Sequence, residues 1–342
     1  MKLDQAFFDV EVRSMCREAA GVMSVTLRDP TGAELPSWVP GAHIDLILPT
    51  GVLRQYSLCS DPAERDHWRV GVLRETAGRG GSAYVHDELR PGDTVRVRVP
   101  RNNFALTPAG AYLFIAGGIG ITPLLPMLRE ATVRGVPWRL IYLGRSRAGM
   151  AFLPELEALA AQGGALTVHA SEDAGRYPLN ELLAGADAAD PTLHLYTCGP
   201  PRLLAAITAS LEAASAAGES AGTLADPARF HFERFVADPL AESATPGGTI
   251  GAVADVGFIV ETADGTEFDV PPGRSILESL ELAGRNPLNS CREGICGTCE
   301  TVVVSGEVDH RDSLLSADER VTGDTMMICV SRCFGRRLVL DL

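Results

Sequence analysis

Four of the eight cysteines stand in a pattern: Cys291-x4-Cys296-x2-Cys299, then Cys329 after 29 intervening residues. This is the plant-type spacing of a [2Fe-2S] centre. Four thiolates holding two irons and two sulfides carry net negative charge. A tight loop that turns backbone N–H groups towards the sulfurs lowers the cost of that charge. Gly294 and Gly297 permit such turns, and Thr298 is small enough to leave room. The fourth ligand is expected from a distant strand, Met326–Ser331, which closes the cage. The alternatives are a structural zinc site and four unrelated thiols. Zinc sites usually show paired CxxC or Cys/His spacing, and here only one CxxC is present. Cys333, four residues past Cys329, is expected to pack, with a spare-ligand role as the alternative. A chain of 342 residues buries a core without staples, so the even cysteine count demands no disulfide.

Two glycine-rich turns also precede helical stretches. Gly117-Gly118-Ile119-Gly120-Ile121-Thr122-Pro123 follows an apolar strand and opens a helix, but it is not a strict GxGxxG and is weak alone. Gly78-Arg79-Gly80-Gly81-Ser82 stands before a second helix, where phosphate can approach a helix N-terminus.

Three unlike segments must position these residues. From Phe7 to about Leu106, short strands alternate with turns: Val22–Leu27, His43–Leu48, Arg54–Leu58, Trp68–Leu73 and Thr94–Val99. That spacing predicts a small antiparallel β-barrel or sandwich, with a short helix over Ser82–Leu89. From Tyr112 to Phe235 the pattern becomes strand–helix alternation. Tyr112–Ala116, Trp138–Leu143, Leu166–Ala170 and Leu193–Cys198 read as strands. Ile121–Arg134, Phe152–Gln162, Leu179–Ala184 and Arg202–Ala217 read as helices. This is a doubly wound parallel α/β unit, whose ligands sit outside the carboxyl ends of the strands. Residues 236–253 read as a linker. The remainder, 254–342, reads as an independent α+β domain. It opens with a hairpin around Ala263-Asp264-Gly265, then a helix over Ser275–Gly284 with Ser275 and Glu278 as a capping box. The expected division is 1–106, 107–235, 236–253 and 254–342.

Composition bounds the function. Hydrophobic residues are 46% and charged residues 22%, as in folded soluble proteins. The formal charge of −14 argues against a nucleic-acid partner. Asp4, Asp9 and Glu11 interrupt any signal-peptide core. Thr107–Leu128 carries no charge and is long enough to span a bilayer, but its glycines and prolines fit a buried strand, a turn and a helix start better. No membrane partner and a cytoplasmic location are expected, with thiols reduced.

The sequence CREGICGTCE, with the hairpin and helix before it, resembles the β-grasp ferredoxin domain of the phthalate dioxygenase reductase and vanillate demethylase reductase family. The resemblance extends over nearly the whole chain, in flavin, nucleotide, ferredoxin order. It implies roles for further residues. Arg54-Gln55-Tyr56-Ser57 matches the family's flavin-barrel motif. There the tyrosine stacks on the isoalloxazine, the serine reaches the N5 edge and the arginine meets phosphate, each suited to its residue type. Arg79, Gly80, Gly81 and Ser82 are implied at the flavin phosphate, and Asn103 at the flavin. FMN is favoured over FAD because the relatives use it. Cys59 either faces the flavin or packs.

Gly118, Gly120 and Thr122 are implied to receive the nucleotide, with Cys198-Gly199-Pro200 beside the nicotinamide. Arg145, Ser146 and Arg147 are implied at the adenosine ribose or its phosphate. The two arginines suit a 2′-phosphate, yet the relatives use NADH, so NADH is favoured over NADPH. Phe235, with Phe232 next, is implied to cover the flavin face and shift when nicotinamide arrives. His43 is expected to be structural, since hydride transfer to flavin needs no general base from its strand. The implied activity is that of an oxygenase reductase: hydride from NAD(P)H to flavin at Ser57, Cys198 and Phe235, then single electrons through the cluster. The implied acceptor is a Rieske-type oxygenase acting on an aromatic acid or similar compound. No Rieske Cys/His pairs or oxygenase iron triad are present, so the chain is read as the reductase component, and a monomer. A P450 or other acceptor, a non-enzymatic ferredoxin-like carrier and a flavin-dependent sensor are the alternatives. Residues 254–342 carry sixteen acidic and eight basic side chains, a net −8, against −6 for the preceding 253 residues. An acidic face of that kind steers towards a basic patch on an acceptor.

Overall fold

Alternating apolar positions lay down the first sheet, as in Val10 and Val12, Ile44 and Leu46, and Val95 and Val97, all buried in one core with Trp68. The computed structural model describes residues 7–76, 78, 80–183, 190, 192–216, 224–235 and 256–342. The chain forms two units, Met1–Arg234 and Phe235–Leu342.

The first unit opens with β1 (Phe7–Ala19), β2 (Val22–Arg28), β3 (Ala42–Ile47), β4 (Leu53–Ser57), β5 (Trp68–Leu73), α1 (Gly81–Asp87), β6 (Thr94–Arg98) and β7 (Arg101–Asn102). The strands pair antiparallel in the order β4-β3-β6-β1-β2-β5, with β7 on β3. The sheet curls until its edges meet: Leu58 bridges Val70, and the Cys59 N–H donates to the Arg69 carbonyl at 2.8 Å. The expected barrel is therefore present, joined at a narrow seam. Strand β1 was not among the strands read from the sequence. Register shifts at Val12/Ser14 and Arg17/Ala19 bend it and break the alternation that would have marked it.

The unit continues with β8 (Ala111–Gly117), α2 (Ile121–Val133), β9 (Trp138–Gly144), α3 (Leu153–Ala160), β10 (Ala165–Ala170), α4 (Ser171–Ala174), β11 (Leu193–Cys198), α5 (Pro201–Ala216) and β12 (Phe230–Glu233). All neighbours in the order β10-β9-β8-β11-β12 are parallel. Strand order reverses between β8 and β11, which is where such sheets open a ligand crevice. The uncharged stretch 107–128 resolves into β8, a glycine turn and α2. Among the described residues, no helix is long and apolar enough to cross a membrane. Of the helix expected over Leu179–Ala184, residues 179–183 are helical and Ala184 lies outside the described residues.

Barrel and parallel sheet are clamped by charge. Arg69 on β5 bonds both carboxylate oxygens of Glu155 on α3, at 3.1 and 2.9 Å, and lies over the Phe152 ring at 5.1 Å. Arg129 on α2 pairs with the same carboxylate. The connector is tied to β11: the Thr107 N–H donates to the Tyr196 hydroxyl at 2.8 Å, which donates to the Ala105 carbonyl at 3.1 Å.

The second unit contains β13 (Phe258–Thr262), β14 (Glu267–Val270), α6 (Ile276–Leu282), β15 (Glu300–Ser305), β16 (Val308–Asp309), α7 (Ala317–Thr322), β17 (Thr325–Met327), β18 (Arg332–Cys333) and β19 (Arg337–Leu340). The main sheet runs β14-β13-β19-β15-β17, with β13 and β19 parallel. The expected hairpin and capping box are both present; Glu278 N–H donates to Ser275 Oγ at 3.1 Å, and Ser275 N–H to the Glu278 carboxylate at 3.0 Å. One expectation is corrected. Strand β17 stops at Met327, and Cys329 sits in the turn that follows rather than on a strand. The Val330 and Ser331 N–H groups both fold back onto the Met327 carbonyl, at 3.2 and 2.9 Å, which ends strand pairing. The expected linker over 236–253 lies outside the described residues.

The Glu155 clamp yields a stability test. Glu155→Ala leaves Arg69 and Arg129 part-buried without their carboxylate and is expected to cost about 2 kcal/mol, less than a fully buried pair would lose. Urea unfolding followed by tryptophan fluorescence measures it; an unchanged midpoint would remove the clamp from the stability argument.

Candidate functional site

Parallel register brings the reacting end of the sheet together. Cys198 ends β11 and lies opposite Glu233, the last residue of β12. The Ser57 hydroxyl, at the end of β4, hydrogen-bonds the Glu233 carboxyl. Thus a hydroxyl, a thiol and a carboxyl from barrel and sheet converge. Burial pushes Glu233 up to about 8, against the lowering effect of the Ser57 bond. Burial, then the neighbouring Glu233, pushes the Cys198 thiol well above its ordinary value. Burial thus favours the protonated form of both acids, and Cys198 shapes the site as a thiol rather than a thiolate. Glu233 and its strand were missed by sequence reading. The stretch Phe230-His231-Phe232-Glu233 is only four residues long with half-exposed aromatics.

The glycine turn after β8 packs directly on this corner. A Cβ at Gly120 would stand 2.2 Å from the Cys198 carbonyl oxygen, so the loops after β8 and β11 meet backbone to backbone. Gly118 is half-buried, and its carbonyl accepts the Tyr142 hydroxyl at 3.2 Å. Thr122 is buried and donates its hydroxyl to the Ile119 carbonyl at 2.9 Å; it stiffens the turn. Pro200 follows Gly199 into α5. Arg145 and Arg147 are exposed beyond β9, with Ser146 half-buried between them. Arg147 pairs with Glu157 at 2.8 Å, and the Arg145 carbonyl accepts the Glu172 N–H at 2.9 Å.

On the barrel, Gly81 lies against Arg54: a Cβ there would fall 2.6 Å from Arg54 Nε. A guanidinium beside the Gly80–Ser82 turn suits a phosphate. Ser82 Oγ accepts the Glu75 N–H at 3.0 Å, which fixes the turn. Arg79 lies outside the described residues. Tyr56 is half-exposed, and burial of its hydroxyl end pushes that group up to about 12, so it is a neutral ring with a polar tip. Gln55 donates to Asp45 Oδ1 at 2.8 Å, joining a buried network in which Arg101 also grips Asp45 at 2.8 and 2.9 Å. Asn103 is exposed. Its neighbour Asn102 is the anchor, donating to the Pro40 carbonyl and accepting the Phe104 N–H, both at 2.9 Å. His43 stands opposite Ser57 in the β3–β4 register. Burial first, then Arg101, holds it down at about 4, and Asp45 pulls the other way. Cys59 is wholly buried in the core, and burial pushes its thiol up to about 11. Phe232 stacks under the Arg234 guanidinium at 4.9 Å. Phe235 begins the second unit and is 40% exposed.

The four cysteines gather in the second unit. Cys291 interacts with Cys296 and Cys329, and Cys329 with Cys299. The last three are buried. Backbone N–H groups reach the sulfurs: Glu293 and Ile295 at Cys291, Thr298 at Cys296 and Gly294 at Cys329. The loop achieves this with left-handed residues at Arg292, Gly294 and Gly297. Crowding by Cys291, then burial, pushes the Cys296 thiol far up. Free thiols gain nothing from such crowding, whereas cationic iron would bind them as thiolates. Among the described residues no three His, Cys, Asp or Glu side chains converge on one ion site; a binuclear cluster takes only two thiolates per iron. The donor set fits the group. Cys333 lies on β18, its thiol donating to the Arg337 carbonyl at 3.5 Å, so it packs.

Two family models match: a 2Fe-2S iron-sulfur cluster binding domain over residues 259–333 and an oxidoreductase NAD-binding domain over 114–209. The phenoxybenzoate dioxygenase subunit beta of Ectopseudomonas oleovorans is 40% identical over 97% of this chain and 97% of its own length. The phthalate dioxygenase reductase of Burkholderia cepacia is 36% identical over 99% and 98%. A solved phthalate dioxygenase reductase, a modular structure for electron transfer from pyridine nucleotides to [2Fe-2S], superposes with a TM-score of 0.67 at 35% identity over 98% of both chains. A type IV self-sufficient cytochrome P450 monooxygenase matches with a TM-score of 0.79 at 37% identity, over 98% of this chain; the chain spans 41% of that protein.

The raised Glu233 value gives a pH dependence. The proton on buried Glu233 favours the folded state, so its contribution is complete below the ordinary glutamate range and is lost as pH rises through about 8. Glu233→Gln, neutral at every pH, is expected to flatten stability between pH 5 and 8 relative to the parent protein. Denaturant midpoints across that range check it; parallel curves would show that Glu233 ionises normally.

Proposed function

Because the chain belongs to the phthalate dioxygenase reductase family, we propose that it takes hydride from NADH onto FMN and delivers single electrons through a [2Fe-2S] cluster to a Rieske-type oxygenase. The observation that carries this reading is the meeting of Ser57, Cys198 and Glu233 at the switch point of the parallel sheet, in a chain that also holds a four-cysteine cradle. We take 1–106 as the flavin domain, 107–235 as the nucleotide domain, 236–253 as the linker and 254–342 as the ferredoxin domain. A monomer in the cytoplasm completes the reading.

When bound, FMN supplies the conversion of a two-electron donor into one-electron steps. The rest is the work of the chain. Arg54 and the Gly80–Ser82 turn bind a phosphate, and Tyr56 presents a flat neutral face. The Gly117–Gly120 and Cys198–Pro200 turns approach the nucleotide with backbone, and buried Cys198 limits the depth of its seat. Ser57 and Glu233 hold a proton between hydroxyl and carboxyl, in a corner that excludes water. In the second unit, amides of residues 293–298 oppose the charge on the sulfurs.

A second reading, delivery to a P450, is favoured by the match to nearly all of this chain within a self-sufficient P450. Reconstitution with each class of acceptor separates the two. NADH-driven ferricyanide reduction needs flavin alone, whereas cytochrome c reduction draws on the cluster. Cys296→Ser is expected to keep the first and lose at least nine-tenths of the second; survival of both would take the cluster off the electron path, and no turnover by the parent holoprotein would sink the reductase reading. The net −8 of residues 254–342 predicts that raising salt from 50 to 500 mM slows transfer to the oxygenase more than ferricyanide reduction. Equal sensitivity in the two assays would count against charge steering.

A further inference from the structure

The segment His310-Arg311-Asp312-Ser313-Leu314-Leu315 is used by none of the roles above, yet it touches both parts of the cysteine set. Asp312 is a buried carboxylate. One oxygen accepts the N–H groups of Leu314 and Leu315, at 3.1 and 2.8 Å. The other accepts the Ser331 hydroxyl at 3.4 Å. Ser331 lies two residues past Cys329, and its oxygen also accepts the Arg311 N–H at 3.1 Å. Arg320 stands 3.7 Å from one carboxylate oxygen and answers its charge, while His310, its imidazole held below its ordinary value by burial, stands 3.7 Å from the other. The next residue, Ser313, donates its N–H to the Gly294 carbonyl at 2.9 Å.

Gly294 is the tip of the cysteine loop, and its own N–H faces the Cys329 sulfur. Its φ is +70°. A Cβ there would stand 2.6 Å from Val330 Cγ2 and 3.0 Å from Asp312 Cα. The strap, the loop tip and the Cys329 turn therefore interlock at Gly294, with Asp312 as the common fastening.

We propose that Asp312 is a positioning residue for the cluster: it fastens the 310–315 strap between the 291–299 loop and the Cys329 turn, keeps the Gly294 N–H on the Cys329 sulfur, and thereby sets the cluster's reduction potential. The inference rests on reading the four cysteines as the [2Fe-2S] ligands. Amides aimed at sulfur favour the more negative, reduced cluster. Loosening the strap weakens that bias and makes the cluster harder to reduce.

The test compares holoprotein carrying Asp312→Ala, Asp312→Asn or Ser331→Ala with the parent, by anaerobic dye titration and by visible cluster absorbance per chain. Asp312→Ala removes every carboxylate tie and is expected to shift the reduced-to-oxidised ratio about tenfold towards oxidised, about 59 mV for one electron, with faster bleaching in air. Asp312→Asn keeps an oxygen for the Leu314 and Leu315 amides, loses the charge and presents an NH2 that can donate to the Ser331 hydroxyl oxygen, so its cluster is retained and its potential does not fall. Ser331→Ala removes one tie and falls by less than Asp312→Ala. Parent-like potential in Asp312→Ala overturns the proposal, as does an equal fall in Asp312→Asn. If Asp312→Ala retains no cluster, a parent-like potential in Ser331→Ala overturns it. A parent protein with no iron-sulfur absorbance would instead overturn the ligand reading, and is thus distinguishable from failure of the Asp312 role.

Discussion

Backbone can serve a site only where a side chain has been given up. That constraint governs each of the three binding regions. At Gly120 a Cβ would collide with the Cys198 carbonyl, at Gly81 with the Arg54 guanidinium, and at Gly294 with Val330 and Asp312. Each omission lets two chain segments meet, and each meeting joins a turn to the residue that acts with it. The amides of the cysteine loop face sulfur for the same reason. A side-chain cation would oppose the cluster's charge equally well at long range, but amides are fixed by the fold and lose no rotamer freedom when they do it.

The corner formed by Ser57, Cys198 and Glu233 follows a second economy. Burial raises both acids and favours their protonated forms. An ionised carboxylate there would compete with the negative charge that arrives with hydride. The charged residues are kept at the seams instead. Glu155 answers Arg69 and Arg129 where barrel meets sheet, and Asp45 answers Arg98 and Arg101 on the barrel flank. The Glu155 pairs fix the barrel against the sheet, which sets where Ser57 stands relative to Glu233, and the Asp45 pairs tie the barrel strands to one another.

Much of this was legible in the sequence because it is written in local patterns. Cysteine spacing identified the cradle, strand–helix alternation the parallel sheet, and Ser275 with Glu278 a cap that forms as expected. What escaped reading depends on pairing at a distance. Glu233 has no local signal; its meaning comes from lying opposite Cys198 and beneath Ser57. Strand β1 hides its alternation behind two register shifts. Cys329 looked like a strand residue because Met326, Met327 and Ile328 are apolar, yet the turn after Met327 is what aims it. Asn102 and Asn103 are adjacent and chemically identical, and only the Pro40 carbonyl distinguishes the anchored one.

The uneven charge follows from the same division of labour. In the proposed reading a nucleotide and a flavin phosphate enter the first unit, which favours a surface that is not strongly acidic where they bind; it carries −4 over 234 residues. In that reading no anionic ligand is asked of the second unit. Its own negative centre is answered from within by amides, and its outer side chains are left free of that task. Acidic residues there raise no conflict with the cluster as long as they face solvent, where dissolved salt screens them within about 10 Å at about 0.1 M ionic strength. Asp312 is the buried exception, and it is held between His310 and Arg320. A carboxylate placed so close to the cysteine loop is tolerable because the Arg320 guanidinium pairs with it and the Leu314 and Leu315 amides donate to it, leaving its hydrogen bonds to act as fasteners.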